Sequence, residues 1–182
     1  MKKKPMLFLS LLILFIFTFT LPANKKEPAT DDTITVTAQT GTNKGQLAPN
    51  FKLKTMDGHT VQLSDYRGQK LILNFWASWC PPCKVEIPDL NAYYMENKNK
   101  NITILSINMT HAEKNDKTLR SFLNMYKVNY PILLDRSGDI ADLYGIITIP
   151  TTYFIDSKGF IQNRMIGPIQ KTEIEGLLKM ID

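Results

Sequence analysis

Residues 70–77, with the sequence KLILNFWA, constrain the fold of this chain more than any other segment, because they form an almost uninterrupted apolar run of strand length. Such runs are typical of central strands that are buried on both faces of a sheet. Cys80 and Cys83 follow within a few residues, and apolar residues at helical spacing come next. The pattern therefore predicts a buried strand that leads into a helix, with both cysteines at the junction.

The rest of the region alternates between strand-like and helix-like patterns. Alternating apolar and polar residues around Asp57 and Gly58 predict a β-hairpin. Further strands are predicted at residues 101–108, 130–135, 151–156 and 160–166, and further helices at residues 119–126, 139–145 and 174–181. This order of elements predicts an α/β fold in which helices cover both faces of a central mixed sheet.

The first 23 residues have the layout of a secretory signal. Three lysines at positions 2–4 precede an uncharged, mostly apolar run over residues 6–21, and a cleavage site would follow Ala23. The run is shorter than the ~20 residues that span a bilayer comfortably, so a tilted, uncleaved signal-anchor is the alternative. Because basic residues favour the cytoplasmic side, we expect the rest of the chain to be extracytoplasmic, either tethered to the cell membrane by this segment or secreted after cleavage.

Residues 24–46 are small and polar and predict a flexible tether, so the folded domain is expected over residues 47–182. The formal net charge of +5 does not belong to that domain. Five of the 22 basic residues and none of the 17 acidic ones lie in residues 1–26, which leaves 17 basic against 17 acidic residues. A neutral domain gives no indication of nucleic-acid binding.

The two cysteines suit redox chemistry better than a structural role. A disulfide loop this short stabilises by only about 2 kcal/mol, against about 3 kcal/mol for a ~15-residue loop. A zinc site needs further N or S ligands, and the other candidates, His59 and His111, are far away in sequence, so no metal ion or other cofactor is expected. At a strand–helix junction the first sulfur lies over unpaired backbone N–H groups, which lower the thiol pKa. We therefore predict a redox-active disulfide, with Cys80 the exposed, reactive thiol and Cys83 the shielded one.

The segment LILNFWASWCPPCKVEIP resembles the active-site segment of thioredoxin-fold oxidoreductases. More narrowly, it is similar to the membrane-tethered, extracytoplasmic thiol–disulfide oxidoreductases of cytochrome c maturation and sporulation, the TlpA-like redoxins. The resemblance covers about residues 47–180, from a hairpin preface that these proteins share with peroxiredoxins to the segment YGIITIPTTYFIDSKGFIQNRMIG. It implies a thioredoxin fold with an N-terminal β-hairpin extension and a central insertion.

The resemblance also implies a set of site residues with two kinds of role. The catalytic residues are Cys80, Cys83 and Glu86, and the substrate-binding residues are Trp79, Pro81, Thr148, Ile149 and Pro150. In this family the proline of the second group is cis and lies against the dithiol, and the backbone before it pairs with an extended substrate strand.

One departure from cytoplasmic thioredoxins concerns proton transfer. Where those proteins carry a buried aspartate that handles the proton of the second thiol, this chain has Asn74, which cannot titrate. Glu86, one helical turn after Cys83, is the nearest carboxylate in the sequence, and a carboxylate near the sulfurs would raise their pKa and could accept a proton. The alternative is that Glu86 is a solvated helix residue.

The resemblance therefore implies an enzyme that reduces disulfides in exported proteins, such as an apocytochrome c or a cell-wall or spore enzyme. A membrane thiol carrier would supply the electrons, and the protein is expected to be a monomer. Two alternatives have features against them. A thiol peroxidase of the redoxin class would carry threonine where this chain has Ala77, and a copper-delivery module on the same fold would have wider cysteine spacing and a distant histidine.

Overall fold

The computed structural model describes residues 39–181, so the predicted signal segment and most of the predicted tether lie outside it. Seven strands and four α-helices occur in the described part. The strands are β1 (Lys52–Thr55), β2 (Thr60–Gln62), β3 (Lys70–Trp76), β4 (Ile102–Asn108), β5 (Ile132–Leu134), β6 (Thr151–Ile155) and β7 (Ile161–Ile166), and the helices are α1 (Pro81–Asn97), α2 (Asp116–Met125), α3 (Asp139–Leu143) and α4 (Lys171–Lys179). Two short 3-10 helices span Leu63–Tyr66 and Thr110–Ala112. Between residues 39 and 181 no helix combines the length and apolar character that crossing a bilayer requires.

All seven strands form one mixed sheet in the order β2-β1-β5-β4-β3-β6-β7. Strand β3 lies inside this sheet, parallel to β4 and antiparallel to β6. Every residue of β3 after Lys70 is buried, which confirms the predicted central strand. The predicted thioredoxin fold is confirmed by this arrangement of a mixed sheet between helices.

The hairpin β1–β2 and strand β5 extend the sheet on the same side of β4. Strands β1 and β2 pair antiparallel, and the turn between them contains Gly58 at a φ of 92°, a backbone conformation that favours glycine. Strand β1 also pairs with β5, which lies between β4 and β6 in the chain and is flanked by α2 and α3. The predicted hairpin is therefore part of the main sheet.

The core has two halves, one on each face of the sheet, because successive strand residues point to opposite faces. On one face, Ile72 and Phe154 pack with apolar residues of α1, α2 and α4. On the other face, Leu73 and Tyr153 pack with Leu63 of the first 3-10 helix and with residues around α3. The two cysteines, at the start of α1, belong to the first half.

The folded region begins before Leu47, the boundary that composition predicted. The backbone N–H of Gly45 donates to the carbonyl oxygen of Ile161 (2.7 Å), and the N–H of Ile161 donates to the carbonyl oxygen of Gln46 (2.9 Å). Thr40 also forms a bridge with Leu47. For residues 39–46 the tether prediction is therefore wrong, because their backbone pairs with β7 and with neighbouring residues, a contact that polar composition does not reveal.

Candidate active site

The two cysteines lie at the first turn of α1, where β3 ends. Cys80 is the N-cap residue of this helix, and Pro81 and Pro82 fill its first two positions, where a missing N–H costs little. Cys80 and Cys83 form a disulfide with their Cα atoms 5.3 Å apart. The backbone N–H of Cys83 donates to the Cys80 sulfur at 3.2 Å, so an N–H group of the helix terminus points at the first sulfur as predicted.

Burial does not distinguish the two sulfurs in this oxidised state. Cys80 is 2% exposed and Cys83 is fully buried. The predicted difference in exposure concerns the reduced thiols and stays a prediction. The Ile149 carbonyl oxygen lies 3.7 Å from the Cys80 sulfur. The exposed residues beside the cysteines are Trp79, Pro81 and Pro82.

The segment Thr148-Ile149-Pro150 faces the disulfide from the start of β6. The Ile149–Pro150 peptide bond is cis. The hydroxyl of Thr151 donates to the carbonyl oxygen of Thr148 (2.7 Å), and the N–H of Gly167 donates to that of Pro150 (2.9 Å), so both ends of the segment are fixed to the hairpin β6–β7. The structure thus places the predicted substrate-binding loop directly against Cys80.

Glu86 is a buried carboxyl group rather than a solvated helix residue. Its side chain is 1% exposed. One oxygen accepts a hydrogen bond from Asn74 Nδ2 (2.8 Å) and the other accepts one from the backbone N–H of Ile169 (3.3 Å). Burial raises the pKa of Glu86 to about 7, although these two hydrogen bonds favour its charged form. Glu86 can therefore exchange a proton near neutral pH.

A row of polar side chains orients the amide that contacts Glu86. Asn74 on β3 lies between Ser106 on β4 and Thr152 on β6 in the strand register. Ser106 Oγ donates to Asn74 Oδ1 (3.1 Å), and Asn74 Nδ2 donates to Thr152 Oγ1 (3.1 Å). Because Ser106 occupies the amide oxygen, the amide nitrogen must face Glu86. Sequence reasoning missed Ser106 and Thr152, because polar residues within largely apolar strands do not show which neighbouring strand residues they meet.

A second polar cluster holds the loop before Cys80 and was also missed from the sequence. Its centre is Glu113, which follows the second 3-10 helix and contacts Ser78. Between residues 39 and 181 there is no grouping of three or more His, Cys, Asp or Glu side chains that could hold a metal ion.

A dithiol that closes across the first turn of a helix, opposite a cis-proline loop, is suited to exchanging disulfides with other thiols. This dithiol and the strand order of the mixed sheet together identify the protein as a thiol–disulfide oxidoreductase of the thioredoxin fold.

Comparison with known proteins agrees with this class. The chain is 41% identical to the thioredoxin-like protein YneN of Bacillus subtilis, over 78% of this chain and 82% of YneN. It is 35% identical to the sporulation thiol-disulfide oxidoreductase A of the same organism, over 69% of this chain and 75% of that protein. The crystal structure of StoA from Bacillus subtilis matches with a TM-score of 0.65 at 34% identity, over 71% of this chain and 96% of StoA. The chain belongs to the AhpC/TSA family, whose model matches residues 44–164.

Proposed function

We propose that this oxidoreductase acts as a reductant of disulfides in exported proteins. The observation that carries the proposal is the buried carboxyl group of Glu86, one helical turn after Cys83. A carboxylate near a dithiol disfavours the thiolate, and a reduced form that is not stabilised makes the disulfide harder to reduce. Strongly oxidising members of this fold do the opposite, because they stabilise their reduced form. Glu86 therefore favours a pair that donates electrons.

The reaction transfers two electrons to the substrate in two exchanges. The Cys80 thiolate attacks one sulfur of the substrate disulfide, which forms a mixed disulfide and releases the first substrate thiolate. Cys83 then attacks the Cys80 sulfur, which restores the Cys80–Cys83 disulfide and releases the second substrate thiolate. Both substrate thiolates take up protons. A membrane thiol carrier then reduces the enzyme, and its own thiols become a disulfide.

Glu86 accepts the proton that Cys83 loses before the second exchange. It lies on the same helix as Cys83, and its pKa of about 7 lets it take up and release a proton at neutral pH. Asn74 keeps one carboxyl oxygen in place by its hydrogen bond of 2.8 Å. In cytoplasmic thioredoxins the proton acceptor is an aspartate at the place that Asn74 occupies in this chain. Here Glu86, held by Asn74, takes that role.

The substrate binds across the loop that faces Cys80. The carbonyl group of Ile149 lies beside the sulfur and can pair with an extended segment, and Pro150 fixes the direction of that carbonyl. The exposed side chains of Trp79, Pro81 and Thr148 border this position and supply contacts. Because backbone pairing reads no particular side chain, the site suits many exported proteins in which a cysteine lies in an unfolded segment.

The proposed location outside the cytoplasm rests on the basic start and apolar run of the first 23 residues. An enzyme there needs a source of electrons other than cytoplasmic NADPH, which is why the proposal includes a membrane thiol carrier. Peroxide turnover and copper(I) affinity, measured on the reduced chain, distinguish this function from a thiol peroxidase and a copper-delivery module.

Trapping of the mixed disulfide tests the proposal. In the full-length Cys83→Ser variant the first exchange still occurs but the second cannot, so we expect exported proteins to be held on Cys80 and released by dithiothreitol. The control is the variant in which both cysteines are serine. If Cys83→Ser captures no more protein than this control, or only cytoplasmic proteins, reduction of exported proteins is refuted.

A further inference from the structure

Three hydrogen-bond donors converge on the carboxylate of Glu113. The backbone N–H of Ser78 donates to Oε1 at 2.6 Å, and Asn108 Nδ2 donates to the same oxygen at 2.8 Å. The hydroxyl of Ser78 donates to Oε2. Asn108 is fully buried and Ser78 is 7% exposed, so these donors have little access to water. A single carboxylate therefore satisfies the N–H and hydroxyl groups of Ser78 and the amide of Asn108.

The segment Asn108–Glu113, which we term the clamp, makes further contacts with the same loop. The indole N–H of Trp79 donates to the carbonyl oxygen of Ala112 at 3.0 Å. The backbone N–H of Met109 donates to the carbonyl oxygen of Trp76 at 2.9 Å. Trp79 remains 53% exposed, so the clamp fixes the indole by one edge while much of the ring faces solvent. The indole is thus an apolar ring held in one orientation on the residue that precedes Cys80.

We propose that Glu113 is a positioning residue for the disulfide exchange reaction. It holds the loop Ala77–Trp79 so that the indole of Trp79 stays beside Cys80 as a preformed contact for protein substrates. The chemistry of Cys80 itself depends on the helix terminus, which Glu113 does not contact, because the Cys83 N–H donates to the sulfur within α1. Glu113 therefore affects the recognition of a protein disulfide more than the reactivity of the thiol.

The side chain at position 113 can be changed in two ways that separate geometry from charge. Alanine removes all three acceptor contacts and frees the loop. Glutamine keeps Oε1 for Ser78 N and Asn108 Nδ2, and its amide nitrogen can donate to the Ser78 hydroxyl, which also accepts hydrogen bonds. Glu113→Gln thus retains the hydrogen bonds to Ser78 and Asn108 but removes the charge. Glu173→Ala is the matched control, because Glu173 accepts a backbone N–H from Gln170 at the start of α4.

The test compares a protein disulfide with a small one. Reduced full-length variants are mixed with insulin or with hydroxyethyl disulfide, and the second-order rate constants are measured. For Glu113→Ala we expect the rate constant with insulin to fall about three- to tenfold, the loss expected for one aromatic contact, and the rate constant with hydroxyethyl disulfide to stay within about twofold. Glu113→Gln should restore the insulin rate, and Glu173→Ala should change neither rate.

Acrylamide quenching gives a readout besides activity. Because Trp76 is buried, quenching reports mainly on Trp79 and should increase in Glu113→Ala but not in Glu113→Gln. Equal losses with both disulfides, or a Glu113→Gln variant that behaves like Glu113→Ala, would overturn the inference.

The inference rests on the proposed function in taking Trp79 as a substrate contact, and Trp79→Ala separates the two. If Trp79→Ala lowers the insulin rate and Glu113→Ala does not, only the role of Glu113 is refuted. If Trp79→Ala leaves the insulin rate unchanged, the substrate contact is refuted, and the role of Glu113 with it.

Discussion

Replacement of Glu86 by glutamine should remove a pH-dependent loss of stability from the oxidised protein. The pKa of this carboxyl group is raised from 4.5 to about 7 in the folded state, first by burial, so the folded protein keeps a proton that the unfolded chain releases. The contribution of Glu86 to stability is therefore most favourable below about pH 4.5, falls as the pH rises towards 7, and changes no further above it. At about 1.4 kcal/mol for each pKa unit, the loss amounts to about 3 kcal/mol.

Denaturant unfolding of the oxidised wild type and Glu86→Gln at a series of pH values measures this effect. The difference between the two free energies of unfolding isolates Glu86, since all other groups titrate in both proteins. Tyr130 interacts with the charge of Glu86 but does not titrate in this pH range, because burial raises its pKa far above it. Glu96→Gln is the control, since Glu96 lies on the same helix with a half-exposed side chain.

Glutamine also leaves the backbone N–H of Ile169 facing an amide nitrogen, and this mismatch destabilises the variant equally at every pH. The test is therefore how the difference in unfolding free energy changes with pH, and not the size of that difference at any one pH. If the difference between wild type and Glu86→Gln is independent of pH between about 4.5 and 7, the carboxyl group does not titrate as burial requires, and its role as the proton acceptor of Cys83 is refuted.

Two further predictions concern the reduced dithiol. Alkylation at neutral pH should label Cys80 at least about tenfold faster than Cys83, because the Cys80 sulfur at the N-cap accepts a backbone N–H that favours its thiolate, and preferential labelling of Cys83 would reverse the assigned roles. Thiolate absorbance against pH should show thiolate forming at lower pH in Glu86→Gln, which removes a nearby negative charge, and at higher pH in Asn74→Asp, which adds one. A curve that neither substitution moves would show that position 86 is not coupled to the sulfurs.

The sequence predicted those parts of the structure that depend on local pattern. The apolar run 70–77 became β3, and the alternation around Gly58 became the hairpin β1–β2. The cis bond before Pro150 was predicted only through the family resemblance, because an ordinary loop proline has the same sequence. The sequence placed Glu86 one helical turn after Cys83 but left open whether its carboxyl group faces the sulfurs or the solvent, because a charged residue is acceptable in either position.

The remaining parts depend on contacts between distant segments. Ser106 and Thr152 meet at Asn74 only because two strand registers bring them together, and register is not visible in a single strand. Glu113 reaches Ser78 across the gap between two neighbouring strand ends. Both clusters consist of ordinary polar residues whose role is defined by their partners.

The pairing of residues 45–48 with β7 determines where this domain can be cut. A chain that begins at Leu47 would lose the bonds that Gly45 and Gln46 make with Ile161 and would expose part of the outer edge of β7. An unpaired sheet edge can form hydrogen bonds with strands of other molecules. Such a fragment would therefore be prone to aggregation even though its core and disulfide were complete. A soluble fragment should therefore begin no later than residue 39.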